Sequence, residues 1–491
     1  MMTIATQQNI KPQSKRDTVY YLHTLIFLFI TFGFGLLPTF STVSEMGMKI
    51  LGIFIGALYG WIFLGLIWPS LICLLALPLS GYMNAKAMFN DSFGDPVVQM
   101  MFFIFVFCAT ISHYGLSRFI SLWFISRKFV LGKPWTFTFA FLVSIFILGG
   151  LTSASPAAII GWSILYGICD VVGYKRGDAY PTMMVFGILF AAQIGMSMIP
   201  FKQVPLTVLG AYETMSGQSF DYGNYMIISI VICIILSLMF IIVGKYFLKP
   251  DMEKLKKIDL EALDIKDGLV LNKVQKIILL FLVLLVVLLI LPTVLPKGFF
   301  LAAFLNTIGS TGICVLIVAI MCFLKIEGKP LLDFKQMVNS GVTWGIILLL
   351  AVVQPLAKAM TNDSTGIVKM IISTLDPIFA GKSIVFFILV MGAIAVVLTN
   401  VINNGAAGIA LMPVCYALSV SMGLPPEFGV IMITMLVHCA FLTPAASSSA
   451  ALLHGNEWIE SKQIAKFSVI FVMIAYIVIA CVTLLLGSFM F

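Results

Sequence analysis

The sequence predicts an all-α polytopic membrane protein, with about eleven transmembrane helices and two re-entrant hairpins in two inverted repeats. Three observations lead to this prediction. Of the 491 residues, 61% are hydrophobic and only 10% are charged, whereas a soluble protein carries roughly 25% charged residues. Many apolar runs reach the ~20 residues that a helix needs to cross a bilayer. Finally, similar features recur in the same order in the two halves of the chain.

Uninterrupted or briefly interrupted apolar runs mark the candidate spans. Two further apolar stretches, 135–172 and 383–421, are broken in the middle by small and polar residues, and we predict that each is a re-entrant hairpin. The candidate spans are 19–37, 46–60, 61–78, 97–115, 181–212, 224–245, 273–291, 299–324, 341–358, 427–453 and 468–490.

The basic residues orient these spans. The chain has a formal net charge of +8, but its basic residues lie between apolar runs, where the positive-inside rule explains them without a nucleic-acid partner. With a cytoplasmic N-terminus and two hairpins that do not cross, 22 of the 29 Lys and Arg residues lie inside and six lie outside. We therefore expect a multi-pass protein of the cell (inner) membrane, in contact with the lipid bilayer and with its N-terminus in the cytoplasm.

A recurring spacing suggests that the chain is duplicated. Thr152 and Thr399 each follow a leucine inside an interrupted stretch, 247 residues apart, and Gly115 and Gly366 recur at nearly the same offset. Each copy would hold an odd number of spans, so the second copy would insert upside down, as in many transporters. The predicted organisation is an N-terminal tail and first span at 1–45, repeat 1 at 46–248 with hairpin 135–172 and broken span 181–212, a cytoplasmic linker at 249–272, and repeat 2 at 273–491 with hairpin 383–421 and broken span 427–453.

The centres of the two hairpins are polar. The first reads Thr152-Ser153-Ala154-Ser155-Pro156, and the second runs from Thr399-Asn400 to Asn403-Asn404-Gly405. Two half-helices that meet at such a tip direct the free N–H groups and the positive dipole end of one of them at the tip, which suits an anion. The alternative is an ordinary kinked helix whose polar side chains pack against its neighbours.

Each hairpin is followed by a span that proline interrupts, around Pro200 and Pro205 in the first half and around Pro444 in the second. Paired interruptions of this kind in two halves point to a transporter binding site. Lys202 lies inside the first interruption, too deep in the span to reach the membrane surface easily. A lysine there needs a partner, so it is a fixed cation that attracts an anionic substrate or replaces a bound metal ion, unless the span is shifted and Lys202 lies at the interface.

These features resemble the divalent anion–sodium symporter (sodium–dicarboxylate cotransporter) family of the ion-transporter superfamily. The resemblance extends from about residue 50 to the end of the chain. It rests on the hairpins, the broken spans, and the connector Gly328-Lys329-Pro330-Leu331-Leu332 that leads to Trp344 and to Thr365-Gly366.

The resemblance implies a homodimer that moves a small organic anion by an elevator-type motion, with sodium ions bound near the hairpin tips. Family members carry Ser-Asn-Thr at each tip, and Asn403-Asn404-Gly405 stands at that place in the second half. Thr399, Asn404 and Ala446 match sodium-binding positions, and Ser447 matches a hydroxyl near the substrate. The predicted substrate-binding residues are Thr152, Ser153, Ser155, Lys202, Asn403, Asn404, Gly405 and Ser447.

The first half departs from the family pattern, because its tip has no asparagine. Alignment on Pro205 puts Lys202 where a family glycine helps to hold the first sodium ion. The predicted function is therefore secondary active transport of small organic anions, principally dicarboxylates, with sodium coupling through one site and no other cofactor. The alternatives are a sodium-independent anion exchanger in which Lys202 replaces one sodium ion, or a cation–proton antiporter. No HExxH or paired aspartates occur in the spans, so an enzyme is not expected.

Overall fold

The computed structural model describes residues 13–126, 132–257, 271–295, 299–326, 328–379, 381–444 and 446–490. The described chain is almost entirely helical, and its only strands are β1 (Lys325–Ile326) and β2 (Lys329–Pro330), an antiparallel pair. It divides into two compact units, formed by residues 1–95 with 344–374 and by residues 96–343 with 375–491. The predicted N-terminal tail up to residue 12 and residues 258–270 of the predicted linker lie outside the described residues.

The first unit holds the first four helices and one later pair. These are α1 (Gln13–Leu28), α2 (Glu45–Phe63), α3 (Ile67–Leu79), α4 (Ala85–Ser92), α15 (Trp344–Thr361) and most of α16 (Ile367–Phe379). A short π-helical turn and a 3-10 turn follow α1 at Phe29–Gly33 and Phe34–Leu36, and another 3-10 turn lies at Asp363–Thr365.

The second unit holds both predicted hairpins. Its helices are α5 (Pro96–His113), α6 (Leu116–Ile125), α7 (Pro134–Leu151), α8 (Ala154–Val172), α9 (Ala179–Gly195), α10 (Gln203–Ser216), α11 (Tyr222–Val243), α12 (Lys273–Val294), α13 (Phe300–Phe323), α14 (Phe334–Gly341), α17 (Ile384–Thr399), α18 (Asn404–Ser421), α19 (Pro426–Leu436), α20 (Ser448–His454) and α21 (Ser461–Met490). A π-helical turn at Gly244–Leu248 and a 3-10 turn at Glu253–Lys257 follow α11.

Ten helices of the described residues are long and apolar enough to cross a membrane, or up to 11 if α16 and α17 form one broken span. The protein is thus a multi-pass helical membrane protein, as predicted. The individual spans differ from the prediction, because α7, α8 and α18 each qualify by their own length. Whether the two hairpins re-enter the membrane or cross it therefore stays a prediction.

A helix break lies inside each predicted hairpin and each predicted broken span. In the first hairpin α7 and α8 pack against each other and are separated by Thr152 and Ser153, and in the second α17 and α18 pack together around 400–403. The first broken span unwinds between α9 and α10, at 196–202. The second unwinds between α19 and α20, at 437–447, and its break begins about two helical turns earlier than the position of Pro444 suggested.

The order of elements is the same in both halves. A long helix and a shorter one (α5 and α6, then α15 and α16) precede the hairpin, and a broken span and a long helix follow it. The short helices α6 and α16 were not predicted. Each begins directly after a glycine in the left-handed region, Gly115 with φ 68° and Gly366 with φ 69°, and glycine adopts this conformation without steric cost. The two-fold repeat and its inversion remain predictions, and the compact units cut across the predicted repeat boundaries.

Glycines let the first hairpin approach the first broken span closely. A Cβ atom at Gly149 would lie 2.3 Å from the carbonyl oxygen of Ala192, and one at Gly195 would lie 2.2 Å from that of Phe146. Helices cross this closely in membranes where small residues face each other. The crossing of α7 and α9 brings the first tip beside the break at 196–202.

Candidate functional site

The two hairpin tips and the two breaks converge within the second unit. The hydroxyl oxygens of Ser155, behind the first tip, and Ser448, at the end of the second break, are 3.4 Å apart. A Cβ atom at Gly405, in the second tip, would lie 4.0 Å from Val204, just after the first break. Each tip therefore lies beside the break of the other half as well as the break of its own.

Lys202 bonds the end of the first half-helix of hairpin 1. Its Nζ atom donates to the carbonyl oxygens of Leu151 at 3.0 Å and Thr152 at 2.8 Å, and it lies 3.5 Å from Cys108 Sγ. The last carbonyls of a helix have no partner within the helix and form its negative pole. The ammonium group thus satisfies two of these carbonyls at the pole where a cation is most stable.

Lys202 is the only buried Lys, Arg, Asp or Glu among the described residues, with 8% of its surface exposed. It lies on the wall of a small apolar cavity of about 40 Å³, whose other lining residues include Phe107, Cys108 and Leu285. Because no carboxylate is present there, the carbonyl dipoles of α7 and the sulfur of Cys108 are its partners in the described chain.

The other predicted residues of the first tip have different roles. The Thr152 hydroxyl donates back to Leu148 O at 2.8 Å, so this residue offers its carbonyl oxygen and not its hydroxyl to the break. Ser153 precedes α8 without a capping hydrogen bond from its side chain. The Ala154 N–H group, the first of α8, donates instead to Met196 Sδ at 3.2 Å, so a residue of the first break caps this helix.

The second tip has oxygen atoms where the first has an ammonium group. The hydroxyl of Thr399 donates to the carbonyl oxygen of Val437 and lies 3.4 Å from Asn404 Oδ1. All the polar atoms in these contacts are neutral, and Thr399 and Asn404 are both buried. Oxygen ligands from an unwound segment and a half-helix end are the typical environment of sodium in transporters.

Ala446, the third predicted sodium ligand, lies in the same break. It is buried and packs with Ala440 and Ala450. The described chain brings Thr399 and Asn404 together, and it places Ala446 at the far end of the unwound segment that starts at Val437. No three His, Cys, Asp or Glu side chains of the described residues are grouped as metal ligands.

Asn403 and Gly405 shape the second tip. The Asn403 side chain accepts a hydrogen bond from Gly405 N at 3.0 Å and caps α18. This bond uses the Gly405 N–H group, so an oxygen atom of Asn403 caps α18 where the sulfur atom of Met196 caps α8. The two tips are also chemically unequal because the Lys202 ammonium group bonds the first tip.

Asn400, which was not among the predicted site residues, bonds the second break at three places. Its Nδ2 group donates to Cys439 O at 3.0 Å, its Oδ1 accepts from Leu442 N at 2.9 Å, and its carbonyl oxygen accepts from the Thr443 hydroxyl at 2.9 Å. The Asn400 side chain thus forms hydrogen bonds with backbone groups of the second break. Without it, these groups would be unpaired in an apolar interior.

Gln193 is a second residue that was missed. It lies near the end of α9, is 2% exposed, and donates from Nε2 to Ala440 O at 3.1 Å and to Ser447 Oγ at 2.9 Å. The predicted site residue Ser447 caps α20 by accepting from Ala450 N at 3.0 Å. The signal that could have found Gln193 is an amide side chain deep in an otherwise apolar helix, since such groups need a partner in the membrane.

Residues 50–437 match the citrate transporter family (CitMHS). The chain belongs to the citrate transporter family. The match covers both hairpins and the first break, and it ends at Val437, where the second break begins. The polar cluster described above therefore lies within, and at the end of, the region that the family shares.

Other relatives of this citrate transporter family member carry transporter names. The chain is 23% identical over 441 residues to a sodium-dependent dicarboxylate transporter SdcS of Staphylococcus saprophyticus, covering 87% of this chain and 83% of that protein. It is 21% identical over 475 residues to an uncharacterized transporter of Haemophilus influenzae, covering 95% and 96% of the two chains. These names confirm the resemblance to the sodium–dicarboxylate cotransporters, and the protein is a membrane transporter, not an enzyme.

The fold is also that of a transporter. The chain resembles the crystal structure of the YdaH transporter of Alcanivorax borkumensis, with a TM-score of 0.59 and 11% identity over 96% of this chain and 98% of that one. At a sequence identity this low, the similarity shows only that the two proteins share a fold.

Proposed function

We propose that this protein is a secondary active transporter of small organic anions, principally dicarboxylates, that moves its substrate by elevator-type alternating access. The observation that carries this proposal is the convergence of two hairpin tips and two broken spans on a polar cluster whose one buried charge is the Lys202 ammonium. In transporters built from discontinuous helices, such a convergence is where the substrate binds.

The anion would lie between the two tips. Ser153 and Ser155 offer donors from the first tip, and the side chains of Asn403, Asn404 and Ser447 offer donors from the other half. Gly405 lies beside them, with its own N–H group bonded to Asn403. Lys202 and Thr152 act on the anion indirectly. The Lys202 ammonium group donates a hydrogen bond to the Thr152 carbonyl, and its positive charge attracts the anion from a distance. The absence of buried Asp and Glu among the described residues favours an anion, because a buried carboxylate would repel it.

We infer that transport is coupled to one sodium ion. Thr399 and Asn404, with the carbonyl of Val437, supply three neutral oxygen atoms at the second tip, and Ala446 would complete the site from the far end of the break. A sodium ion there would lie at the C-terminal end of α17, the negative pole of that half-helix. The relatives named as sodium-dependent dicarboxylate transporters support this coupling.

A sodium-independent anion exchanger is the second candidate. The observation that favours it is the position of Lys202, whose ammonium group bonds two half-helix carbonyls as a metal ion would. In this candidate the binding site returns across the membrane only with a second anion bound. A cation–proton antiporter fits less well, because no aspartate or glutamate of the described residues is buried to carry a proton.

We further propose that the protein acts as a homodimer in the cell (inner) membrane, with its N-terminus in the cytoplasm. The 22-to-6 distribution of basic residues supports this orientation. The dimer rests on the family resemblance alone.

The proposed function is tested by an uptake screen in proteoliposomes. Purified protein is supplied with radiolabelled succinate, malate, citrate, sulfate and an amino acid, with and without an inward sodium gradient, and with and without unlabelled anion inside. Saturable dicarboxylate uptake that a sodium gradient stimulates supports the symporter. Uptake that needs internal anion and ignores sodium supports the exchanger. Uptake of none of these anions contradicts both.

A further inference from the structure

Four polar atoms lie within hydrogen-bond distance of the Ser447 hydroxyl, more than it can bond as a donor alone or as an acceptor alone. A serine hydroxyl has two acceptor lone pairs and one proton. Gln193 Nε2 at 2.9 Å and Ala450 N at 3.0 Å are both donors to Ser447 Oγ, so they use the two lone pairs. The single proton of Ser447 must therefore point at an acceptor, and Ala440 O at 3.0 Å and Ser449 Oγ at 3.1 Å are the two within reach.

The orientation of the Gln193 amide is fixed by chemistry. The carbonyl oxygen of Ala440 can only accept a hydrogen bond, so the Gln193 atom that faces it must be the NH₂ group. The second hydrogen of the same NH₂ group then points to Ser447. Gln193 thus donates to both members of the Ser447–Ala440 pair.

Sharing Ala440 O between two donors has a consequence for Ser447. A buried carbonyl in an unwound membrane segment needs a hydrogen bond, and Ala440 O keeps one from Gln193 even if Ser447 withdraws its own. Ser447 is half-buried and directly precedes the exposed Ser448, whose hydroxyl lies 3.4 Å from that of Ser155 in the other half. The Ser447 proton can therefore turn towards the space between the tips without leaving an unsatisfied group behind.

We propose that Gln193 is a positioning residue that makes Ser447 a dedicated hydrogen-bond donor to the transported anion. Gln193 fills a lone pair of the hydroxyl and satisfies Ala440 O, and the released proton of Ser447 bonds a carboxylate of the substrate. This inference rests on the proposed function, because it requires an anion beside Ser447. It also explains why an amide of the first half is buried against the second break.

The test is a double-mutant cycle in KM for the dicarboxylate that the uptake screen identifies. Gln193→Met keeps the length of the side chain and removes both donors, so Ser447 must stay on Ala440 O. We expect KM to rise about tenfold, the cost of one lost hydrogen bond to a charged group, with Vmax per transporter in the membrane little changed. Ser447→Ala should raise KM by a similar factor.

The decisive measurement is the KM of the double variant. If Gln193 acts through Ser447, Gln193→Met combined with Ser447→Ala raises KM no further than Ser447→Ala alone, because the donor is already absent. Ser447→Thr keeps a hydroxyl and should keep the sensitivity to Gln193→Met. Independent effects of the two substitutions, with KM rising as the product of the single changes, overturn the proposal, and so does an unchanged KM in Gln193→Met.

A second substitution keeps the proposal testable if Gln193→Met fails to reach the membrane. Gln193→Leu removes both donors with a shorter, uncharged side chain, so Ser447 must again stay on Ala440 O. Its KM should rise as much as expected for Gln193→Met, and a KM at or below that of wild type contradicts the proposal. Gln218→Met, on an exposed loop, is the matched control and should keep the wild-type KM. Absence of anion uptake by the wild-type protein would instead refute the proposed function.

Discussion

The Nζ atom of Lys202 lies 2.8 Å from the carbonyl oxygen of Thr152, the first residue of the first hairpin tip. At the second tip, the hydroxyl of Thr399 bonds the carbonyl of Val437, and no lysine or arginine takes part in the described hydrogen bonds there. The two half-helix ends thus have different cation chemistry. We propose that Lys202 is a built-in cation at the first tip and that the second tip takes a sodium ion.

Two substitutions of Lys202 should distinguish the effect of its charge on uptake from the effect of its size. Lys202→Gly removes both and leaves room for a cation at the Leu151 and Thr152 carbonyls, so we expect uptake to become more steeply dependent on sodium. Lys202→Met removes the charge and fills the space, so we expect uptake to fall at all sodium concentrations. The measurement is initial uptake rate in proteoliposomes across a sodium titration.

The control for these variants is Lys245→Gly, at an exposed lysine of the same unit, which should behave as wild type. Unchanged uptake by Lys202→Gly at every sodium concentration would remove Lys202 from the mechanism.

Asn404 should be essential for transport but not for insertion into the membrane. Its side chain lies 3.4 Å from the Thr399 hydroxyl, and we propose that it contacts both sodium and substrate. We expect Asn404→Ala to abolish uptake while the protein still reaches the membrane and elutes as wild type in size-exclusion chromatography. Asn362→Ala, at an exposed polar turn of the first unit, provides the comparison. Normal uptake by Asn404→Ala would refute the site assignment.

Asn400 should stabilise the second break. Asn400→Leu keeps the size but leaves Cys439 O and Leu442 N without their partner, and each unsatisfied buried group costs about 1–3 kcal/mol. We expect the thermal unfolding temperature in detergent to drop by several degrees, together with a loss of uptake. A wild-type unfolding temperature would show that the break is held by other contacts.

Gly195 should tolerate no side chain. A Cβ atom there would lie 2.2 Å from Phe146 O, and separating α7 from α9 costs about 1–3 kcal/mol, as overpacking typically does. We expect Gly195→Ala to lower the unfolding temperature and uptake together. Gly167→Ala in α8, where a Cβ atom meets nothing within 4 Å, should be neutral or slightly stabilising. Equal behaviour of the two variants would contradict the described crossing.

The sequence predicted the features that leave a local signal. Prolines and polar runs in apolar segments marked both hairpins and both breaks, and the isolated charge marked Lys202 as a residue in need of a partner. The partner itself was not predictable, because the carbonyls of Leu151 and Thr152 are 51 and 50 residues away along the chain and any residue type offers a carbonyl.

Residues that act through long-range pairing left weaker signals. Gln193 bonds residues 247 and 254 positions away, and its role depends on a helix crossing that no local pattern encodes. The break of the second broken span begins at Val437 although the nearest proline is Pro444. There, the side chains of Thr399 and Asn400 donate hydrogen bonds to the backbone carbonyls of Val437 and Cys439. These bonds replace the helical hydrogen bonds of the two carbonyls, so the helix can end before the proline.

The sodium dependence of dicarboxylate uptake tests the central proposal, one fixed cation and one sodium site, most directly. Initial rates are measured in proteoliposomes at fixed succinate, or at fixed concentration of the dicarboxylate that the screen identifies, while external sodium is varied against choline. We predict a saturable, hyperbolic dependence with a Hill coefficient near one, because one site binds sodium and Lys202 takes the place of the other. A Hill coefficient clearly above one, or uptake that does not respond to sodium, would contradict it.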